Sequence, residues 1–242
     1  MKRLFISLAI LAGISLSSCN DSFLEKTPVT DLTENNAFNS YDNFKAFMWP
    51  CYEMFTNNTI RTSLQGFGQD GQYKGDMAAG YFQQKYESGY NEFAYQTVAS
   101  VASGNGWDFK SFIRRVNIML SHIDNSSMTE AQKDHWRAVG YFFHSFWYME
   151  LIDRFGDVPW VDQVLQEDSP EAYGPRVDRK TVADKVLERL QWAEQNIGNF
   201  TSQDGDNTIN QDCVRAVISR FGLREGTWRK YHESVSYTHL RA

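Results

Sequence analysis

The chain has 242 residues, 42% of them hydrophobic and 15% aromatic, enough apolar surface for one large domain or two small ones and too much for global disorder. Its formal charge is −6, its isoelectric point is about 5.4 and no basic patch emerges, which argues against a nucleic-acid partner. Its three cysteines, Cys19, Cys51 and Cys213, cannot build a disulfide framework.

The N-terminus carries the strongest local signal. Lys2-Arg3 is a positive start, Leu4 to Leu16 is a short apolar run, and small residues follow up to Cys19. At 1.5 Å per residue the run reaches roughly 20 Å, too short for a membrane helix. Residues 1–18 therefore read as a lipoprotein signal peptide. Leu16-Ser17-Ser18-Cys19 resembles a bacterial lipobox, in which the cysteine thiol forms a thioether to lipid and becomes the first mature residue. Cys19 is the expected lipidation site, with palmitate among its acyl chains; the alternative is an ordinary signal peptide with an incidental cysteine. Several chains at ~0.8 kcal/mol per buried CH₂ hold a protein on a membrane stably. Removing Lys2 and Arg3 leaves the mature chain more acidic.

Residues 19–39 are polar and read as a lipidated tether with an extended lead-in. The domain proper spans 40–233. Ser40 opens a helix with Phe44, Phe47, Met48, Cys51, Tyr52 and Phe55 on one face, and Pro50 is expected to kink it or shift its boundary. Residues 57–106 show no sustained period and are rich in Gly, Gln, Asn and Tyr, as functional irregular segments are. They include Gly66-Phe67-Gly68-Gln69-Asp70-Gly71, a literal GxGxxG. No β-branched strand precedes it and no apolar helix follows, so it is not a dinucleotide site. Trp107 to Ile123 is the next predicted helix, with Phe109, Phe112, Ile113, Val116, Leu120 and Ile123 inward.

Thr129 to Phe155 is the predicted central helix. Thr129 and Gln132 form a capping box. Trp136, Val139, Phe143, Phe146, Trp147, Met149 and Leu151 then wrap apolar surface almost all round it, the mark of a buried helix. Trp136, Val139, Gly140 and Phe143 fit the first half of a tetratricopeptide repeat; an aromatic core helix would explain the same residues. Gly156 suits a left-handed helix end, and Val158-Pro159 leaves it extended. Val161 to Val177 reads as an irregular connection. Asp178 caps a helix with Val182, Val186, Leu187, Leu190, Ala193 and Ile197 inward, closed by Gly198. Phe200 to Asn210 reads as a solvated polar loop; its Asp204-Gly205-Asp206-Asn207 resembles a calcium loop but lacks the later ligands. A last helix runs from Cys213 to Arg224. The tail 234–242 has no core pattern, and the expectation is a truncated chain with a non-native end.

No metal, cofactor or catalytic set is expected. HExxH, GxSxG, GxxxxGK[ST] and CxxC are all lacking. His135 and His144 lie about half a turn apart around the central helix and cannot share a metal. Both read as packing or surface residues. Cys51 and Cys213 fall on apolar faces and are expected as free thiols, with pairing the alternative.

In order, the lipobox at Cys19, Asn20 to Pro28, Ala37-Phe38-Asn39-Ser40, Trp107 to Ile123, the aromatic helix into Arg154-Phe155-Gly156-Asp157-Val158-Pro159, Asp178-Arg179 and Val214-Arg215-Ala216 resemble the SusD/RagB family of outer-membrane nutrient-binding lipoproteins. The resemblance covers about Cys19 to Tyr231. It implies an all-α fold of tetratricopeptide-like helix pairs with long irregular loops. It also implies a lipid-anchored protein of the outer membrane, facing the cell exterior, that binds glycans without being an enzyme. The implied partner is a TonB-dependent, SusC-like transporter barrel that the lipoprotein covers as a lid. Members of the family are about twice this length, and their ligand residues vary. From composition, Tyr73, Tyr81 and Tyr86 are the expected sugar-stacking residues, because sugars offer C–H faces to aromatic rings; tyrosines anchoring the loop are the alternative. Competing readings are a helical-repeat scaffold that binds only protein and a lipid-anchored hydrolase.

Overall fold

A computed structural model describes residues 38–55, 107–109, 111–205 and 207–232 of the chain. Six α-helices are found there, with no strands among the described residues. They are α1 (Tyr41–Met48), α2 (Phe112–His122), α3 (Glu130–Phe155), α4 (Arg179–Asn196), the single turn α5 (Thr201–Asp204) and α6 (Gln211–Tyr231). Helix α3 is the hub: α2 and α4 flank it, α6 packs on α4, and α1 lies against α2. Phe112 meets Trp147 while Asp124 meets Arg137, so α2 and α3 run antiparallel. Asp153 pairs with Arg179 and Trp192 meets Tyr141, which sets α4 antiparallel to α3. Glu194 pairs with Arg215 and Asp184 with Arg229, which sets α6 antiparallel to α4. The result is the up-and-down array of helix pairs that the sequence predicts.

The centre of α3 is buried on every side, the polar His144, Ser145 and Glu150 included. Phe142, Phe143, Phe146, Tyr148, Leu151 and Ile152 are all below 2% exposed. The capping box forms as expected: Thr129 Oγ1 accepts from Gln132 N, and the Gln132 side chain accepts from Thr129 N. Gly156 ends α3 at φ +68°, a conformation that side chains rarely adopt. Gly140 lets α2 approach α3; a Cβ there would lie 2.6 Å from Met119 Cε. His135 and His144 are both buried packing residues. Cys51 and Cys213 are free thiols, the first buried and the second half-buried.

Several boundaries differ from the sequence reading. Helix α1 tightens into a 3₁₀ segment at Trp49–Phe55, because Pro50 cannot donate to the helix ladder. Ser40 is the N-cap, but its side chain makes no capping bond. Helix α2 starts at Phe112 rather than Trp107, because Asp108 accepts from Ser111 N and Oγ and holds a turn ahead of it. Gly198 is not a left-handed cap: α4 ends through extended Ile197, and Gly198 makes room for the Phe200 ring, 2.5 Å from where a Cβ would lie. Helix α6 continues past Arg224 to Tyr231, because its inward residues there are the buried ion-pair partners Glu225 and Arg229, which an apolar pattern does not register. The 200–210 segment is not simply a solvated loop, since Asp204 turns its carboxylate inward.

Candidate functional site: a cleft between α2 and the loop after α3

The loop following α3 is built from the helix outward. Val158 and Val177 exchange both backbone hydrogen bonds, at 3.1 and 2.9 Å, and so close the base of an excursion that carries Pro159 to Arg176. Buried polar groups pin its first stretch. Tyr148 Oη donates to Pro159 O at 2.9 Å and accepts from Val161 N at 2.7 Å. His144 Nε2 donates to Val161 O at 2.9 Å, and Asn117 Nδ2 donates to Val161 O and Gln163 O. Burial keeps His144 neutral by lowering its pKa well below the usual value, so this bond persists through the neutral range. Farther out, Arg114 Nη1 donates to Leu165 O at 2.6 Å. The tip is shaped by Gln166 N donating to Ser169 Oγ, Tyr173 Oη donating to Glu167 O, and a 3₁₀ turn at Pro170–Tyr173.

Between this loop and the start of α2 lies a cleft of about 1060 Å³, lined by Trp107, Phe109, Arg114, Pro159, Val161, Leu165, Gln166, Glu167, Asp168, Glu171 and Ala172. One wall is aromatic. The Trp107 ring meets Phe109 and Phe155 edge-on at 5.2 and 4.9 Å, and the Arg176 guanidinium sits 4.8 Å from its centroid. Trp147 Nε1 donates to Asp108 O at 2.7 Å, which fixes the segment carrying that wall. The lining also has a polar, exposed part made of Gln166, Glu167, Asp168 and Glu171. Apolar rings beside amides and carboxylates suit a polyhydroxylated ligand, with C–H groups on the rings and hydroxyls toward this polar rim.

A second, smaller cavity of about 290 Å³ lies among the end of α4, α5 and the start of α6. Asp204 and His135 line it. Tyr41 Oη donates to Asp204 Oδ2 at 2.5 Å, Lys45 Nζ lies 3.4 Å from Oδ1, and His135 Nε2 lies 3.6 Å from Oδ2. His135 Nδ1 donates to Gly198 O at 3.2 Å. Every one of these groups ties α1, α3 and the α5 turn together, so the cluster works as an internal clasp.

Cys19, Tyr73, Tyr81 and Tyr86 lie outside the described residues. In sequence the cleft residues read only as parts of the predicted helix Trp107 to Ile123, with Phe109 on its inward face, and of the irregular connection Val161 to Val177. The usable signal was the length of that connection. Among the described residues, no group of three or more His, Cys, Asp or Glu side chains could hold a metal ion, and no helix is long and apolar enough to cross a membrane.

Residues 22–223 match the SusD-like family model described as "Starch-binding associating with outer membrane". No curated protein matches the chain. Among solved structures, a SusD-like protein of Bacteroides fragilis superposes with a TM-score of 0.56 at 17% identity, over 89% of this chain and 41% of its own. A SusD-like carbohydrate-binding protein of Bacteroides vulgatus gives 0.57 at 18%, over 80% and 43%. A SusD-like carbohydrate-binding protein of Bacteroides fragilis gives 0.57 at 16%, over 79% and 39%. At these identities the likeness is one of fold. The chain spans 39–43% of the length of these structures.

Proposed function

Since the chain belongs to the SusD-like family, we propose that it is a non-catalytic cell-surface lipoprotein that binds oligosaccharides for uptake through a SusC-like, TonB-dependent outer-membrane transporter. The family match across residues 22–223, with its starch-binding and outer-membrane description, carries this reading. Lipid on Cys19 would hold the chain at the outer membrane. The aromatic-walled cleft beside Trp107 is a second support, because rings beside amides and carboxylates match the two surfaces of a sugar. Tyr73, Tyr81 and Tyr86 are proposed to add stacking surface from the 57–106 segment.

The test begins with a glycan array probed with the purified chain. Retention of neutral oligosaccharides, weakened by Trp107→Ala, is the expected result; no retained glycan at all would overturn the binding reading. Tyr73→Ala, Tyr81→Ala and Tyr86→Ala together should weaken the same binding, and unchanged affinity would remove those three from the site. For the partner, the chain should copurify from outer membranes with a TonB-dependent barrel.

A second reading, a scaffold that binds protein only, is favoured by the exposed Leu223, Trp228 and Tyr231 of α6. Transporter copurification without any glycan affinity would select it.

A further inference from the structure

Among the described residues, the rim of the cleft carries three carboxylates, Glu167, Asp168 and Glu171, against two guanidinium groups, Arg114 in the lining and Arg176 over the Trp107 ring. None of the three acids is in an ion pair among the described residues, whereas Asp162, just upstream, pairs with Arg189. Arg114 keeps its charge, but its 2.6 Å bond to Leu165 O fixes it on the loop, and Arg176 is held over the indole, so the carboxylates outnumber the guanidinium groups by three to two. The acids do not ride on a loose tip. The 3.1 Å bond from Tyr173 to Glu167 O, the 2.8 Å bond from Gln166 N to Ser169 Oγ and the 3₁₀ turn shape the segment that carries them into the same cleft as Trp107 and Phe109. A sugar stacked on those rings would present its substituents to a field of net negative sign.

We propose that this cleft selects glycans by charge: it takes neutral and amino-bearing sugars and turns away uronates and sulfated sugars. The proposal rests on the glycan-binding reading above and adds the residues that set its specificity. The physical reason is Coulombic. A carboxylate or sulfate on the ligand meets like charges at the rim, while an ammonium group meets opposite ones. The rim is exposed, so each interaction is screened and modest, and three together give a discrimination of roughly 3- to 30-fold at low salt.

The experiment compares the wild-type chain with the triple variant Glu167→Gln, Asp168→Asn, Glu171→Gln on one array carrying neutral, amino-bearing, uronate and sulfated oligosaccharides, at low and at high salt. These exposed amide substitutions leave the core untouched, and circular dichroism checks the fold. The expected result is wild-type binding to neutral and amino-bearing glycans, little to acidic ones, and a narrower gap at high salt. Relative to its own binding of neutral glycans, the triple variant should gain acidic ligands and lose the amino-sugar preference. Equal wild-type binding to acidic and neutral glycans would overturn charge selection while leaving the glycan reading intact. Discrimination unchanged in the triple variant would overturn the assignment to these acids. Binding of no glycan at all would bring down the glycan reading and this proposal with it.

Discussion

Glu150 lies on the α6-facing side of α3, only 9% exposed, and its carboxyl is pushed up to about 7 by burial, which outweighs the pull of Arg224, Arg154 and Arg220. Between the ordinary value of 4.5 and about 7, the folded chain holds a proton there that the unfolded chain has released. Stability from this residue is therefore complete below the lower value and is lost as pH rises through the window. Glu150→Gln should flatten that slope, gaining on the order of 2 kcal/mol over wild type by pH 8 in urea titrations run across the range. The buried histidines act in the other direction. Burial lowers the pKa of both His135 and His144 from 6.5, so acid is taken up by the unfolded chain first and stability falls as pH drops below that value. Gly140 offers a second residue-scale test. Its neighbours Met119 Cε and Leu120 Cδ2 are methyl ends that can swing aside, and alanine favours helix by about 1 kcal/mol over glycine. Gly140→Ala should therefore be close to neutral in thermal melts, while Gly140→Val should destabilise by about 2 kcal/mol or more through overpacking.

Among the elements, the loop after α3 depends on the helix beneath it. Tyr148 is fully buried and serves two backbone groups at once. Tyr148→Phe keeps the ring and strands Val161 N–H, an unpaired buried donor worth about 1–3 kcal/mol. The expected outcome is a lower denaturant midpoint with faster hydrogen exchange at the Val161 amide; unchanged exchange would show that the loop holds itself. The α4–α6 pair depends on charge in place of apolar surface. Arg179 grips both oxygens of Glu225 at 3.0 and 2.8 Å, and Arg229 bridges Glu225 and Asp184 at 2.8 and 2.7 Å. Glu225 and Arg229 are 1% and 4% exposed. Glu225→Ala removes the buried carboxylate that the two guanidinium groups share, leaving only Asp184 and the more distant Asp153, and should cost about 3 kcal/mol. Glu194→Ala, which breaks an exposed pair with Arg215, should cost less than about 1 kcal/mol in the same urea series.

At the scale of the whole molecule, the proposed lipid attachment can be tested apart from folding, because Cys19 precedes the described residues 38–232 in sequence. Cys19→Ala should abolish labelling by a palmitate analogue and release the protein from the membrane fraction, with the thermal midpoint unchanged. Absence of label on the wild type would sink the lipoprotein reading. The acidic balance of the chain also has a bulk consequence: attraction to amino-bearing glycans should weaken as salt shortens the screening length.

The order of the five longer helices and the identity of the hub were legible in the sequence, because a helix must bury its apolar stripe and the period of that stripe is written in neighbouring residues; the single turn α5 has no such stripe and reads as loop. The capping box at Thr129, the all-round apolar surface of α3, the proline break after Met48 and the helix start at Asp178 are local facts with local causes. The cleft was not legible. Trp107 reads as a helix start, Phe109 as part of its inward face and Glu167 to Glu171 as part of an irregular connection, whereas the Val158–Val177 bridge, Tyr148 and Asn117 bring them into the lining of one cleft. The end of α6 and the inward turn of Asp204 were hidden for the same reason. Their partners are charged groups far away in the chain, and a carboxylate bound for a buried guanidinium looks in sequence like one bound for water. Local periodicity thus determined which segments are helices, while pairing between distant polar groups, which only the folded chain brings together, decided where α6 stops and where a ligand could sit.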